Sequence, residues 1–188
     1  MAHLVTEYLL QRNSFPRLCA PAPDMESLDL IFKGALRAPD HGMLMPWRYL
    51  IIEGLAKLQK LGDLFADSAL LADPSLSQEQ QDKFRKMPLR APMVIVAIAN
   101  VKDHPKIPSI ERTLSAGAGV GYLLLLLQAE GYGGMWRTGP LAYNQFVRKG
   151  LGLSEDEQLV GFIYAGTPEG KTKAIPQHAV DDFVTCWP

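Results

Sequence analysis

Apolar positions recur along this chain with two spacings, and the alternation between them lays out its elements. Residues 3–11 make a short apolar helix that Pro16 keeps from running on. Pro21 and Pro23 stiffen the connector to a second helix, for which Asp24 is a suitable N-cap. Leu28, Ile31, Phe32, Ala35 and Leu36 share one face of that helix, which should end near Pro39. Residues 47–52 have the aromatic and β-branched make-up of a strand. A helix from about 55 to 65 follows, and residues 77–80 spell a capping box for another, stopped by Pro88. The unbroken apolar run 93–98 is of strand length and predicts a central strand buried on both faces.

Residues 114–129 contain no charge and carry five consecutive leucines at 123–127. The run falls just short of the roughly 17 to 25 residues that span a bilayer, and Glu111, Arg112 and Glu130 close it off. The expectation is a helix apolar all round, buried within a domain or between subunits. Small residues at 115–119 and 121 would let another backbone or a flat ligand approach it closely. Gly131 stops the helix, residues 133–139 form a glycine-flanked strand or loop, and a short helix covers 143–151. Residues 159–165 are another buried strand. The strand-like end at 183–187 is too apolar to stay free in water and should dock on something. Strands and helices alternate without repeats, so a single mixed α/β sheet domain is the economical architecture.

The length of 188 residues fits one ordinary domain, and 47% hydrophobic against 21% charged residues is globular rather than disordered. A net charge of −1 supplies no global field toward nucleic acid or an anionic membrane, so any recognition of phosphate must be local. Two widely separated cysteines, Cys19 and Cys186, are no disulfide framework, and the N-terminus lacks the basic start of a signal peptide. These features predict a reducing, cytoplasmic location.

Residues 165–172 satisfy a relaxed Walker A pattern after a strand, with Ala165 in place of the first glycine. A phosphate cradle needs a helix directly after Lys171 and Thr172, yet Pro176 follows within a turn, so the favoured expectation is a strand ending in a turn with Lys171 and Lys173 exposed. Gly117, Gly119 and Gly121 follow no strand and do not read as a dinucleotide fingerprint. His3, His41, His104 and His178 are scattered, which predicts no metal site. No Gly-x-Ser-x-Gly elbow or catalytic cysteine setting is present. Two loops carry more. Arg12, Ser14 and Arg17 place two guanidinium groups and a hydroxyl together, the group types that grip phosphate, although a plain solvated loop has the same make-up. Residues 37–47 hold Arg37 and His41 in a proline-restricted loop, or else an ordinary connector whose Trp47 packs in the core.

In order and spacing these segments resemble the nitroreductase family of FMN-dependent oxidoreductases, in particular its short bacterial members. The resemblance covers nearly the whole chain. It rests on Arg12-Asn13-Ser14 with Arg17, on Arg37-Ala38-Pro39-Asp40-His41 leading to Pro46-Trp47, on Ser115-Ala116-Gly117 running through the leucines to residues 131–139, and on the strand 161–168 ending in Gly166-Thr167-Pro168.

The resemblance implies an α+β fold with a mixed, mainly antiparallel sheet flanked by helices. It implies one domain over 1–188 and an obligate homodimer whose tail, about 174–188, extends the partner's sheet. Arg12, Asn13 and Ser14 would hold the FMN phosphate and ribityl chain, and Arg37 and His41 would reach the same cofactor from the partner. Trp136, Arg137 and Thr138 would line the isoalloxazine and phosphate side. Leu126, Leu127, Gln128, Ala129, Glu130 and Gly131 would receive the nicotinamide nucleotide. The implied activity passes a hydride from NADH or NADPH through FMN to a small electrophilic acceptor, nitroaromatic or quinone, with ping-pong kinetics and no catalytic side chain of the protein's own. No nucleic acid, membrane or metal enters. The alternatives are a flavin-binding module without turnover and a P-loop nucleotide binder at 165–172. Two departures from the family pattern stand out. Asn13 replaces a second arginine, a lost charge that Arg17 or Lys171 is positioned in sequence to restore. Met43 and Met45 replace polar residues before Pro46-Trp47.

Overall fold

The computed structural model describes residues 2–187. Its centre is a five-stranded sheet in which β5 (Glu157–Pro168) pairs with three others: β3 (Met93–Asn100), β4 (Gly133–Arg137) and the two-residue β1 (Leu18–Cys19). β2 (Trp47–Glu53) lies outside β3, giving the order β1-β5-β3-β2 with β4 also on β5. Every pair is antiparallel, so within one chain the sheet is not mixed. The run 93–98 is the buried strand its composition predicts. Met93, Ile95 and Ala97 face one core cluster, and Val94, Val96 and Ile98 face the other.

Along β5 the inward pattern changes phase, with Leu159 but then Phe162 and Tyr164 on the same face. A bulge between Ala97 and Ile98 in the β3 register absorbs the extra residue, Val160.

One face of the sheet carries α2 (Met25–Ala35) and α5 (Ser109–Ala129), through Leu28, Ile31, Ala35, Val120, Leu123, Leu124 and Leu127. The other carries α3 (Leu55–Ala72) and α7 (Gln145–Gly150), through Leu58, Leu61, Phe65 and Val147. The caps follow the sequence. Asp24 accepts from the Ser27 amide, and Ser77 and Gln80 form a reciprocal box at the start of α4 (Gln78–Arg85).

Several elements depart from expectation for physical reasons. α2 stops at Ala35, and Leu36 is an exposed cap rather than a face residue. α3 runs to Ala72, past 65, because Ala66 and Ser68 continue its buried face. The helix over 143–151 splits at Asn144, whose extended backbone ends α6 (Pro140–Tyr143) and whose carboxamide oxygen accepts from the Val147 amide to start α7. The glycine-flanked segment is β4, and α1 (Ala2–Leu10) precedes β1.

α5 starts earlier than the apolar run, and it is not buried all round. It is the one described helix long and apolar enough to cross a bilayer. Half of it nevertheless seals the sheet, with Val120, Leu123 and Leu127 fully buried. Ile110, Leu114, Gly121 and Tyr122 are exposed, with Gly117 half-buried among them, and together they form an apolar stripe at helical spacing. After β5 the described chain is exposed through Trp187, with Phe183 74% and Trp187 95% accessible.

An ion pair ties β2, β5 and α7 together at the opposite end of the sheet from β1. Arg48 Nε and Nη2 donate to the two carboxylate oxygens of Glu157 at 2.6 and 2.8 Å, and the Ser154 amide donates to the same carboxylate. Arg148 donates to the Glu157 carbonyl. The Arg48 contact holds the Glu157 carboxyl below its ordinary value of 4.5. A carboxyl lowered by folding contributes stability that is whole above its unfolded value and is lost as pH falls through the folded one. Glu157→Gln should therefore cost about 1.5–3 kcal/mol at neutral pH in urea unfolding, and the gap to wild type should close below pH 4.5. A gap that persists in acid would remove the ion pair as its cause.

Candidate functional site

The loop joining α1 to β1 wraps the open side of β4. The Phe15 amide donates to the Gly134 carbonyl at 3.2 Å. Gly133 lies so close beneath that a Cβ there would stand 2.7–2.9 Å from Leu18, Phe15 and Pro168, which only glycine avoids. This crossing fixes Arg12, Asn13 and Ser14 beside the end of α5. Arg12 Nη1 lies 3.2 Å from the Asn13 carbonyl and 3.3 Å from Ser14 Oγ. Asn13 turns back through its own carboxamide, which accepts from the Ser14 amide at 2.9 Å.

Two polar side chains hold the loop in place. Gln128 on α5 accepts from the Asn13 amide at 3.3 Å and donates to the Tyr8 carbonyl at 3.2 Å, so both ends of its carboxamide are engaged. Asn13 Nδ2 donates to the Lys173 carbonyl at 2.7 Å. The residue that costs the loop a charge thus fastens Lys173 to it. Neither Arg17 nor Lys171 is brought there by a hydrogen bond. The Arg17 carbonyl is taken by the Glu169 amide. Nothing in the sequence marks the Asn13 to Lys173 link, since the two are joined only by folding.

On β4, neighbouring residues face opposite sides of the sheet. Trp136 faces α5, with its indole against Gly117 and its N–H donating to the Val160 carbonyl at 3.2 Å. It lies across Gly161, where a Cβ would collide with the indole. Arg137 points to the other face, its guanidinium carbon 5.4 Å from the centre of the Tyr164 ring. Trp136 and Arg137 therefore do not line one surface with their side chains. Thr138 is exposed just past the strand.

Of the segment 126–131, Leu127 is fully buried in the core and offers no surface to a ligand. Leu126 is partly buried against Gly34, and Gln128 is engaged as described. Ala129, Glu130 and Gly131 are exposed.

His41 and Arg37 lie elsewhere. His41 sits in the 3-10 turn His41–Met43, and its Nδ1 donates to Glu111 Oε2 at 2.6 Å, at the start of α5. Arg37 is exposed beside Ala38, which packs near Gly119. Glu111 and Gln128 are separated by about 25 Å at the α-helical rise of 1.5 Å per residue. Arg12 and His41 are anchored at opposite ends of α5.

The Walker-like segment is a strand end followed by exposed chain, with Lys171 and Lys173 exposed, and not a phosphate cradle. β5 runs to Pro168, and residues 171–179 form no helix, so no helix N-terminus faces Lys171 and Thr172.

The "Nitroreductase family" profile matches residues 11–167. The chain belongs to the nitroreductase family. An Escherichia coli K12 protein named "Putative NAD(P)H nitroreductase YdjA" is 36% identical over 88% of this chain and 88% of its own. A Haemophilus influenzae protein named "Putative NAD(P)H nitroreductase" is 35% identical over 94% and 96%. Among solved structures, the fold resembles a nitroreductase-like family protein of Bacillus cereus at a TM-score of 0.83, with 22% identity over 97% of this chain and 95% of that one. It also resembles the FMN- and NADPH-dependent nitroreductase NfnB of Sphigopyxis sp. strain HMH at a TM-score of 0.75 and 19% identity, over 98% and 99%.

The double engagement of Gln128 makes a direct prediction. Gln128→Leu, close in volume, should speed hydrogen exchange of the Asn13 amide roughly tenfold, because its acceptor is gone. Exchange at the buried β3 amides should stay unchanged. An unchanged Asn13 amide would show that the loop is held by other contacts.

Proposed function

We propose that this member of the family is a homodimeric NAD(P)H-dependent oxidoreductase that binds FMN in the seam between two copies. The placement of Arg12 and His41 at opposite ends of α5 carries the reading. One flavin does not reach both within a chain. Two chains whose apolar α5 stripes meet antiparallel about a twofold axis bring the His41 end of one to the Arg12 end of the other. Gly117 and Gly121 straddle the midpoint between Glu111 and Gln128, where the two backbones then cross most closely. The stripe and the tail are apolar surface that the single chain leaves in water. We place the tail, about 174–188, on the partner's sheet, with the open edge of β2 as its dock and residues 1–188 as one domain.

The chemistry of the donor set fits FMN. Arg12 and Ser14 offer a guanidinium and a hydroxyl side by side, and the Lys173 main chain is tied to the same loop. In this reading Arg12 and Ser14 hold the phosphate while Asn13 and Gln128 position the loop. Trp136 and the main chain at Arg137 and Thr138 border the ring, and Arg37 and His41 of the second copy close the site. Ala129, Glu130 and Gly131 border the place for the nicotinamide nucleotide. Bound FMN supplies the redox chemistry, taking a hydride from NADH or NADPH and passing reducing equivalents to a small electrophilic acceptor such as a nitroaromatic or quinone. The chain binds, orients and excludes water. Donor and acceptor use one pocket in turn, which makes the kinetics ping-pong.

Purified protein should be yellow and should bleach anaerobically on adding NADH or NADPH. Arg12→Ala should weaken FMN binding by about 1.5–3 kcal/mol, the worth of a hydrogen bond to a charged group; unchanged affinity would take Arg12 out of the phosphate clamp. The shared site has a sharper test. Arg12→Ala and His41→Ala homodimers should each retain FMN poorly, while refolding the two variants together should restore about a quarter of the sites, the share in which both residues are intact. No recovery on mixing would mean that the two residues act within one chain and not across the seam, and full FMN retention by the His41→Ala homodimer would take His41 out of the site.

A further inference from the structure

We propose that Trp187 of each copy docks in a cavity of the other, between α3, the end of α7 and the edge strand β2. The inference rests on the functional reading above, in which the tail crosses to a second chain. The cavity measures about 410 Å³, and Ile52, Leu61, Leu64 and Leu151 form its apolar wall. Two lysines and two aspartates also line it, so their charges cancel and no net field favours an ionic ligand. Trp187 is more accessible than any other large apolar side chain described. Docking it would take about 150–250 Å² of aromatic surface out of water. A buried indole N–H needs an acceptor, and Asp67, which forms no ion pair among the described residues, offers one at the cavity.

The place where the tail starts fixes the direction in which it arrives. Asn13 Nδ2 holds the Lys173 carbonyl and Gln128 holds the Asn13 amide, so the tail leaves its own chain at the Gln128 end of α5. In the antiparallel seam that end lies against the Glu111 end of the second copy's α5. There His41 is bound to Glu111, and the turn His41–Met43 leads through Pro46 into β2 at Trp47. The arriving tail therefore meets β2 at its start and runs parallel to its open edge, toward Ile52 and the cavity. The fourteen residues from Lys173 to Trp187 reach about 46 Å when extended, and Trp47 to Ile52 takes up roughly 17 Å of that. About 30 Å is left to cross from the seam, the diameter of a small domain.

Cys186 is free and directly precedes Trp187, so it can report the docking. In full-length, FMN-loaded Cys19→Ser protein, Lys57→Cys and Lys60→Cys each add a thiol at the cavity. Mild oxidation should join one or both to Cys186 of the other chain, giving a covalent dimer on a denaturing, non-reducing gel. The parent without the added cysteine, and the same variants carrying Cys186→Ser, should run as monomers. Trp187→Ala should raise the dimer dissociation constant about tenfold, and Trp187→Phe should recover part of the loss. No covalent dimer at either position, from yellow protein that sediments as a dimer, overturns the docking and leaves the flavin reading standing. So does an unchanged dissociation constant in Trp187→Ala. A disulfide closed within one chain, seen as a monomer band of altered mobility, puts the tail on its own subunit and overturns the exchange. Wild type that sediments as a monomer at every concentration sinks the dimeric reading itself, and the docking with it.

Discussion

β5 is the one strand on which everything else is hung. It pairs with β3 along most of its length and with β4 over 162–166, and it holds β1 at its end. A slip of one residue in any of these pairings would exchange the inner and outer faces of the whole ladder. The candidate site inherits its geometry from that register. Trp136 lies across from Ile163 and so faces α5, while Arg137 lies across from Phe162 and so faces Tyr164. The loop bearing Arg12 and Ser14 then reaches the site only because Gly133 lets Phe15, Leu18 and Pro168 close over β4. Side chains that look adjacent in sequence are separated by the thickness of the sheet. Groups far apart in sequence, such as Asn13 and Lys173, come together at its edge.

α5 meets two requirements at once. Its inner face needs large apolar side chains to seal the sheet, and Val120, Leu123 and Leu127 provide them. Its outer face is also apolar, which a helix that only covered a core would not need. The pattern is that of a helix with apolar faces on both sides, the outer one being where the proposed second copy would complete a core. Glycines at 117 and 121 reduce the helix's own packing on that side and suit close approach of another helix.

Much of this was legible in the sequence because it rests on local chemistry. The caps at Asp24 and Ser77, the buried strand at 93–98 and the proline breaks depend on neighbours within a few residues, and the structure has them where the sequence puts them. What escaped is non-local. β1 is two residues long and exists only because β5 extends far enough to pair with it, so no composition could announce it. The leucine run showed that α5 is buried, but not that its leucines serve two faces unequally: Leu127 vanishes into the core, while the stripe beginning at Ile110 stays outside. The residues of the candidate site were readable by type from the resemblance. Their division between the two ends of α5, and the opposite facing of Trp136 and Arg137, belong to the tertiary fold.

The loop after α2 is held in one shape within the single chain. Met43 and Met45 both adopt the left-handed backbone region, with φ of 53° and 46°. That region costs residues with a Cβ roughly 1–2 kcal/mol each. The loop is held in that shape at both ends. The Asp40 carboxylate accepts from the Met45 amide at 2.6 Å, and His41 is bound to Glu111 on α5. Two exposed methionines in unfavourable backbone conformations, fastened by an aspartate and a histidine, make little sense for a loop facing only water. They make sense if the loop meets a second chain in a fixed shape, because the ordering cost is then met in folding the monomer and is not charged again when the seam closes.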